Sequence, residues 1–218
     1  MKQEEKSFQT QRKIKQAALS LFAEKGYQKT KMSDIVDVTA LSKGAVYHHF
    51  KSKKEILRQL MMDEMNELNQ QLELLASQTY QSAKKRLINL VDNLITNQSL
   101  QKLTTINWAE KVPFGLLRTL RNTVNHLTPY VEWMIEQGNQ QGEFNCPYPF
   151  ETASVFLILV DVWLDPIIAE DPFTTLAKKI DYIAFYLEQS GLSIISAEKS
   201  EEIKKALKFM YKGGDTSE

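Results

Sequence analysis

Ten consecutive residues, Ser42-Lys43-Gly44-Ala45-Val46-Tyr47-His48-His49-Phe50-Lys51, gather hydroxyl, ammonium, phenol and imidazole groups around two large apolar side chains. On a helix turning about 100° per residue, Val46 and Phe50 share a face that enters a core with Leu41, while Lys43, Gly44, Tyr47 and His48 point the other way. The outward face suits a DNA major groove. Gly44 and Ala45 let backbone approach the bases, Ser42 caps the helix and can donate to a phosphate, and Tyr47 offers a hydroxyl on a rigid ring. Lys43, Lys51 and Lys53 add attraction that does not depend on base sequence. On these residues alone a second reading stands beside the first, in which two short helices merely pack and their lysines are solvated.

Other chemistry is harder to place. His48 and His49 are adjacent, so their rings diverge by about 100° on a helix, and no Cys, Asp or Glu joins them at ligand spacing. The single cysteine, Cys146, sits beside Pro147 with no histidine nearby in sequence. No HExxH pattern, Gly-rich phosphate loop or nucleophile with a matched base is present. The reading is a non-enzyme with no catalytic residue, no metal and no cofactor. His126 is solitary and reads as a half-buried structural histidine.

Twenty-seven basic residues balance 27 acidic ones over 218 residues, and a net charge of zero argues at first against nucleic acid. The average conceals a division. Residues 1–58 hold 13 Lys or Arg against 6 Asp or Glu, and residues 59–218 hold 14 against 21. A basic first quarter joined to an acidic remainder suggests two jobs in one chain. The composition, 43% hydrophobic and 25% charged, is that of a globular protein. One cysteine forbids an intrachain disulfide and fits a reducing compartment. The longest strongly apolar run, Val155 to Leu164, is about half of a membrane span, and the polar start lacks a signal-peptide core. A soluble cytoplasmic protein without a membrane partner is expected.

The elements that position these residues read as helices throughout, and the fold class is all-α. Ile14, Ala17, Ala18, Leu21 and Phe22 mark one face of a helix from Phe8 to Lys25, which Gly26 ends. Short helices follow near 33–39 and 43–49. Ser52 and Glu55 have capping-box spacing before a run of apolar positions that carries a fourth helix for about six turns, from Ser52 to about Ser77. Further helices are predicted near 80–97, 100–110, 114–125, 128–141, 149–168, 172–191 and 198–211. The organisation expected is a helix-turn-helix DNA-binding domain over 1–52, a helical effector-binding and dimerisation domain over 53–212, and a disordered tail over 213–218.

The stretch from Phe8 to Leu57 resembles the amino-terminal domain of the TetR family of bacterial transcriptional regulators. Ala17 to Tyr27, Asp34-Ile35, and Leu41 to Leu57 follow its pattern in order and spacing. The resemblance implies that Ser42, Lys43, Gly44, Ala45, Tyr47, His48 and His49 meet a double-stranded DNA operator. It further implies that Lys53 meets a phosphate and that Ser33 assists from helix two. Two positions depart from the family. Ala40 stands where a turn glycine is usual, at about 1 kcal/mol if φ must be positive. Lys31 replaces the usual threonine cap, so either Thr30 caps one residue early or Lys31 reaches a phosphate.

The remainder resembles the family in architecture. Gln137 to Phe144 is similar to the turn before the dimerisation helices. Residues 150–168 are apolar almost all round, which implies burial on every side, the second side by another subunit. The interface predicted for a homodimer comprises Phe156, Val160, Trp163, Leu164, Ile180, Ile183, Ala184 and Leu187, two helices from each subunit. The resemblance also implies a small-molecule effector among the core helices that tilts helix four and so alters the spacing of the two reading heads. Candidate effector contacts are Trp108, Phe114, Leu117, Arg118, Asn122, Tyr130, Trp133, Met134 and Trp163. Arg118 and Arg121 could pair with an anionic effector or simply face solvent. Asp161 and Asp165 either bind a cationic ligand or hydrogen-bond across the dimer seam. The function implied is a homodimeric repressor released from a palindromic operator by a small molecule; the alternative is a regulator whose acidic part answers to a protein partner.

Overall fold

Every regular element among the described residues is helical. The computed structural model describes residues 2–97, 106, 112, 115–165 and 172–211. The predicted helix over 100–110, residue 106 apart, and the tail over 213–218 lie outside them. The chain divides into two compact units, Met1–Glu64 with Ser99–Gly115, and Met65–Gln98 with Leu116–Glu218.

In the first unit α1 spans Lys2–Lys25, α2 Met32–Thr39 and α3 Lys43–His49, followed by the opening turns of α4, Lys53–Ser77. Helix α1 starts well before Phe8, because residues 2–7 continue the helix without adding to its apolar stripe. Ile14, Ala18, Phe22, Ile35, Val46, Phe50, Ile56 and Leu57 are all buried. Burial of Ile56 and Leu57 explains why the unit extends into α4 instead of stopping at residue 52. Phe22 and Tyr27 meet with ring centroids 5.0 Å apart.

The two departures at α2 resolve differently. Lys31 is the N-cap residue, and Thr30 does not cap the helix. Thr30 is buried instead, with its hydroxyl within hydrogen-bond distance of the carbonyls of Leu21 and Gly26. Lysine carries no side-chain acceptor, so the cap works in reverse: the Asp34 carboxylate accepts from the Lys31 N–H at 2.8 Å and pairs with Lys25 at 2.6 Å. These donors hold the Asp34 carboxyl below the usual carboxylate range. Ala40 does adopt the left-handed conformation, φ 52° and ψ 27°, with its N–H donating to Asp37 O.

The second unit contains the rest of α4, then α5 Ala83–Thr96, α6 Gly115–Asn122, α7 Thr128–Gln140, α8 Pro149–Ile158, α9 Phe173–Gln189 and α10 Ala197–Tyr211. Leu72, Leu87, Leu90, Val131, Met134, Phe156, Ile180 and Leu187 belong to one buried core. Helix α5 begins three residues later than the predicted residue 80, at the point where Ser82 caps it by accepting from Lys85 N–H. No break separates α6 from α7. A π-helical turn, Thr123–Leu127, joins them, and Pro129 supplies the reason: it has no N–H to donate and its ring crowds a regular α turn. A second π turn, Leu159–Trp163, follows α8, so the predicted helix over 149–168 is α-helical only to Ile158. Residues 166–168 lie outside the described set.

The turn after α7 depends on close approach. A Cβ at Gly138 would fall 2.1 Å from the Phe144 ring, and one at Gly191 would fall 2.0 Å from Asn145 O. Arg86, wholly buried, donates to Ala76 O at 2.9 Å and to Gln137 Oε1 at 2.7 Å, with its guanidinium 5.3 Å from the Trp133 ring centre.

Ala40 gives a direct stability test. Ala40→Gly should stabilise the protein by about 0.5–1 kcal/mol in urea unfolding, because relief of the left-handed strain exceeds glycine's added chain entropy. Ala40→Val should destabilise it, since a β-branched residue is least compatible with that conformation.

Candidate functional site

Helix α3 holds seven residues, too few to be stable alone. Its inner side is anchored by Val46, fully buried, and Phe50, 4% exposed. Ser42 caps it by accepting from Ala45 N–H at 3.1 Å, and Phe50 N–H donates back to Val46 O. That leaves Ser42, Lys43, Gly44 and His48 exposed, with Ala45, Tyr47 and His49 half-buried. A Cβ at Gly44 would meet only the Ser42 hydroxyl, at 4.0 Å, so the backbone there is open to an approaching surface. The Lys43 ammonium lies 5.9 Å from the Tyr47 ring centre. Lys51 donates to Tyr47 O. The His48 and His49 rings meet edge to face, and burial together with the charge of His48 lowers the His49 pKa. Lys31 and Ser33 are exposed on and beside α2.

One residue assigned to DNA by resemblance is committed elsewhere. Lys53 lies within hydrogen-bond distance of three carbonyls, Tyr27 O at 2.6 Å, Thr30 O at 3.0 Å and Gln28 O at 3.1 Å, and sits 4.5 Å from the Tyr27 ring centre. An ammonium has three N–H donors, and these carbonyls occupy all of them. Lys53 therefore ties the start of α4 to the α1–α2 turn and has no donor left for phosphate. Glu55 likewise reaches past Ser52 to the Lys51 N–H, while Ser52 Oγ accepts from Glu55 N–H.

A family model described as bacterial regulatory proteins, tetR family, matches residues 14–60, the segment that builds this reading head. Residues 14–60 are thus similar to the DNA-binding segment of TetR-family transcriptional regulators. Among its relatives is the HTH-type transcriptional repressor KstR2 of Mycolicibacterium smegmatis, 38% identical over 48 residues, 22% of this chain and 23% of that protein. The chain thus matches less than a quarter of that repressor's length. The HTH-type transcriptional regulator YttP of Bacillus subtilis is 25% identical over 162 residues, 72% of this chain and 78% of its own. A crystal structure of a gamma-butyrolactone receptor shares the fold over 95% of this chain and 98% of that one, with TM-score 0.55 and 14% identity.

In the second unit the predicted effector contacts that lie among the described residues do not converge on one surface. Trp108 and Phe114 lie outside the described residues. Leu117 and Arg118 face solvent, as does Arg121, and Met134 is sealed in the core. Asn122 is buried in a reciprocal amide pair with Asn69, each side chain donating to the other at 3.2 Å. Tyr130 is half-buried, and Trp133 is 37% exposed beneath Arg86. Trp163 is half-buried, with Lys179 5.1 Å from its ring centre and donating to its carbonyl at 2.8 Å. His126 is exposed, contrary to the half-buried place expected for it.

The predicted dimer residues also need correction. Phe156, Ile180, Ile183 and Leu187 are at most 3% exposed within a single protomer, so its own core already uses them. Val160, Trp163, Leu164 and Ala184 are half-buried. The strongly exposed large apolar side chains on α8 and α9 are Phe150, Val155, Tyr182 and Phe185, with Trp163, Tyr182 and Phe185 forming an aromatic series at centroid spacings of 5.5 and 6.4 Å.

Asp161 finds its partner inside the chain. Its carboxylate accepts from the Thr123 hydroxyl, so the bond joins the two π turns instead of crossing a seam. Burial raises its pKa to about 6, and the nearby Asp165 charge pushes the same way.

Two measurements follow. Lys53→Gln should cost about 1–2 kcal/mol in unfolding by leaving carbonyls unmatched, with little change in the salt dependence of DNA binding. Asp161 is harder to ionise folded than unfolded, so its charge lowers stability progressively as pH rises from about 4 through about 6. Asp161→Asn should therefore be the more stable protein at pH 7.5, and its advantage should shrink by about 1 kcal/mol when both are unfolded at pH 5.

Proposed function

We propose that this regulator is a homodimeric repressor that reads a palindromic operator through α3 and is released by a small-molecule effector. The exposed face of α3, with Ser42, Lys43, Gly44, Tyr47 and His48 held clear of the core on a basic unit, carries the reading. Ala45 and His49 flank that face, and Lys31 and Ser33 add contacts from α2, phosphate-directed in the case of Lys31. Residues 1–64 act as the reading head and the acidic remainder as the dimerising and effector-sensing body. Because it acts by occupying DNA and not by turnover, the regulator needs no catalytic group, and it works in the cytoplasm, where operator DNA is.

Val155, Tyr182 and Phe185 make the self-complementary patch, with Trp163 and Ala184 at its margin. Large apolar side chains exposed on neighbouring helices are what a two-fold interface buries. Two heads so joined engage one face of B-DNA when their separation is about 34–36 Å or a multiple of it. An effector shifts the population away from that spacing only through its differential affinity for the two states. The small-molecule reading draws support from the gamma-butyrolactone receptor with the same fold, and from a relative named as the A-factor receptor protein of Streptomyces griseus.

Selection of bound duplexes from a random pool should yield a palindrome. Tyr47→Ala should weaken its binding roughly tenfold or more while light scattering still reports a dimer. Equal affinity in that variant would reject α3 as the reading helix. Tyr182→Asp combined with Phe185→Asp should give a folded monomer; a stable dimer would reject the patch. A compound screen on the selected duplex then tests release, and release only by added protein would replace the small molecule with a protein partner.

A further inference from the structure

The second π turn, Leu159–Trp163, carries four apolar side chains and one carboxylate, yet no residue from 158 to 165 is fully buried. Those eight consecutive residues pass round the helix about twice. Both sides of it are therefore partly accessible, including the side toward the first π turn, where a close-packed interior would leave nothing exposed. Asp161 lies on that inner side, because its carboxylate accepts from the Thr123 hydroxyl of the first π turn. Among the described residues this neutral donor is the only one that reaches it, whereas a carboxylate has about four acceptor sites and a charge to balance. The charge that acts on Asp161 is that of Asp165, of its own sign, and burial adds to the cost of ionising it. Lys179 of α9, near the same turn, donates to the Trp163 carbonyl, and His126 on the first π turn is exposed. Beside Thr123, Asn122 and Asn69 of α4 hold each other's amides. An apolar lining with one uncompensated anion and a few neutral polar groups suits a cation with a hydrocarbon body. π turns within helices are frequent at sites that bind.

We propose that the space between the two π turns binds the ammonium group of an otherwise apolar primary amine, with Asp161 as its counter-ion and the apolar side chains of the second turn along its hydrocarbon part. The proposal rests on the reading of this unit as effector-sensing and names the effector's chemical class. The Asp161 carboxylate and the Thr123 hydroxyl oxygen accept from the ammonium N–H groups. A bound cation offsets the cost of the buried charge, so an amine is preferred over the alcohol of the same shape and a carboxylate is repelled. Asp161 must be ionised to hold the amine. Since its pKa is raised to about 6, affinity falls as pH drops through that value.

The test titrates full-length protein by calorimetry with primary amines from butylamine to phenethylamine, each beside the alcohol and the carboxylate of the same skeleton. At pH 7.5 at least one amine should bind roughly tenfold or more tighter than either counterpart. Its affinity should fall about tenfold at pH 5, where about one Asp161 in eleven stays ionised. Asp161→Asn keeps an acceptor for the Thr123 hydroxyl, so the two turns stay joined. It should weaken the amine to the level of its alcohol and flatten the pH dependence. Undiminished amine binding in that variant overturns the site, as does failure of every amine to bind tighter than its alcohol. Should the variant not fold, the wild type decides alone, and equal amine affinity at the two pH values overturns the site. An amine that binds as expected but leaves the selected duplex bound supports the site and overturns the effector-sensing reading. One that also releases the duplex supports both.

Discussion

The reading surface depends on one constraint: seven residues of helix cannot hold their shape or direction without being fastened from outside. Val46 and Phe50 do most of this: both are buried, as are Ile14 and Phe22 of α1 and Ile35 of α2. Burial of two such side chains contributes on the order of 3–6 kcal/mol, several times what the Ser42 cap adds. The apolar anchors therefore decide where α3 points, and the polar face is free to vary with the base sequence to be read. Lys53 completes the fastening from behind. Its ammonium gathers the carbonyls of the α1–α2 turn, fixing where α4 leaves the reading head.

Such short-range causes are what a sequence displays well. Gly26, Ser42, Ser52 and the apolar stripe of α1 each act within a turn or two of their own position, and the reading head could be drawn from them. The left-handed Ala40 was visible too, because the turn between α2 and α3 leaves few backbone routes and an alanine in it stands out. Lys53 was not legible. Its carbonyl partners lie 23 to 26 residues away in sequence, and a lysine at a helix start looks the same whether it meets phosphate or carbonyl oxygen. The opening turns of α1 were missed for a different reason: they carry no apolar period, since what they face is solvent and not a core.

In the second unit the competition between two apolar surfaces was invisible to periodicity. Helix α9 carries one regular aliphatic stripe, Leu176, Ile180, Ile183 and Leu187, and a second set of large side chains, Tyr182 and Phe185, on its other side. Either set satisfies the pattern of an interface. The more regular one went to the protomer's own core, which needs dense packing of branched side chains, and left the aromatics outside. The π turns were hidden as well, because widening a helix by one residue changes the backbone and not the composition. In the first of them Pro129 is the local cause, and its effect on the preceding turn is seen only once the chain on both sides is known to be helical.

Cations fasten both ends of α4. At the first residue, Lys53 reaches out to the turn before it. At the last turn, the buried Arg86 donates to Ala76 O and also grips Gln137 on α7. Burial lowers the Arg86 pKa and the nearby Glu143 charge works against that, so the guanidinium stays charged in the core at a real desolvation cost. A hydrophobic side chain of similar volume could fill the same space without that cost, but could not hold a carbonyl and an amide in fixed directions. A helix of 25 residues, roughly 37 Å long, thus carries a directional tie at each end, where apolar packing alone would leave it able to slide.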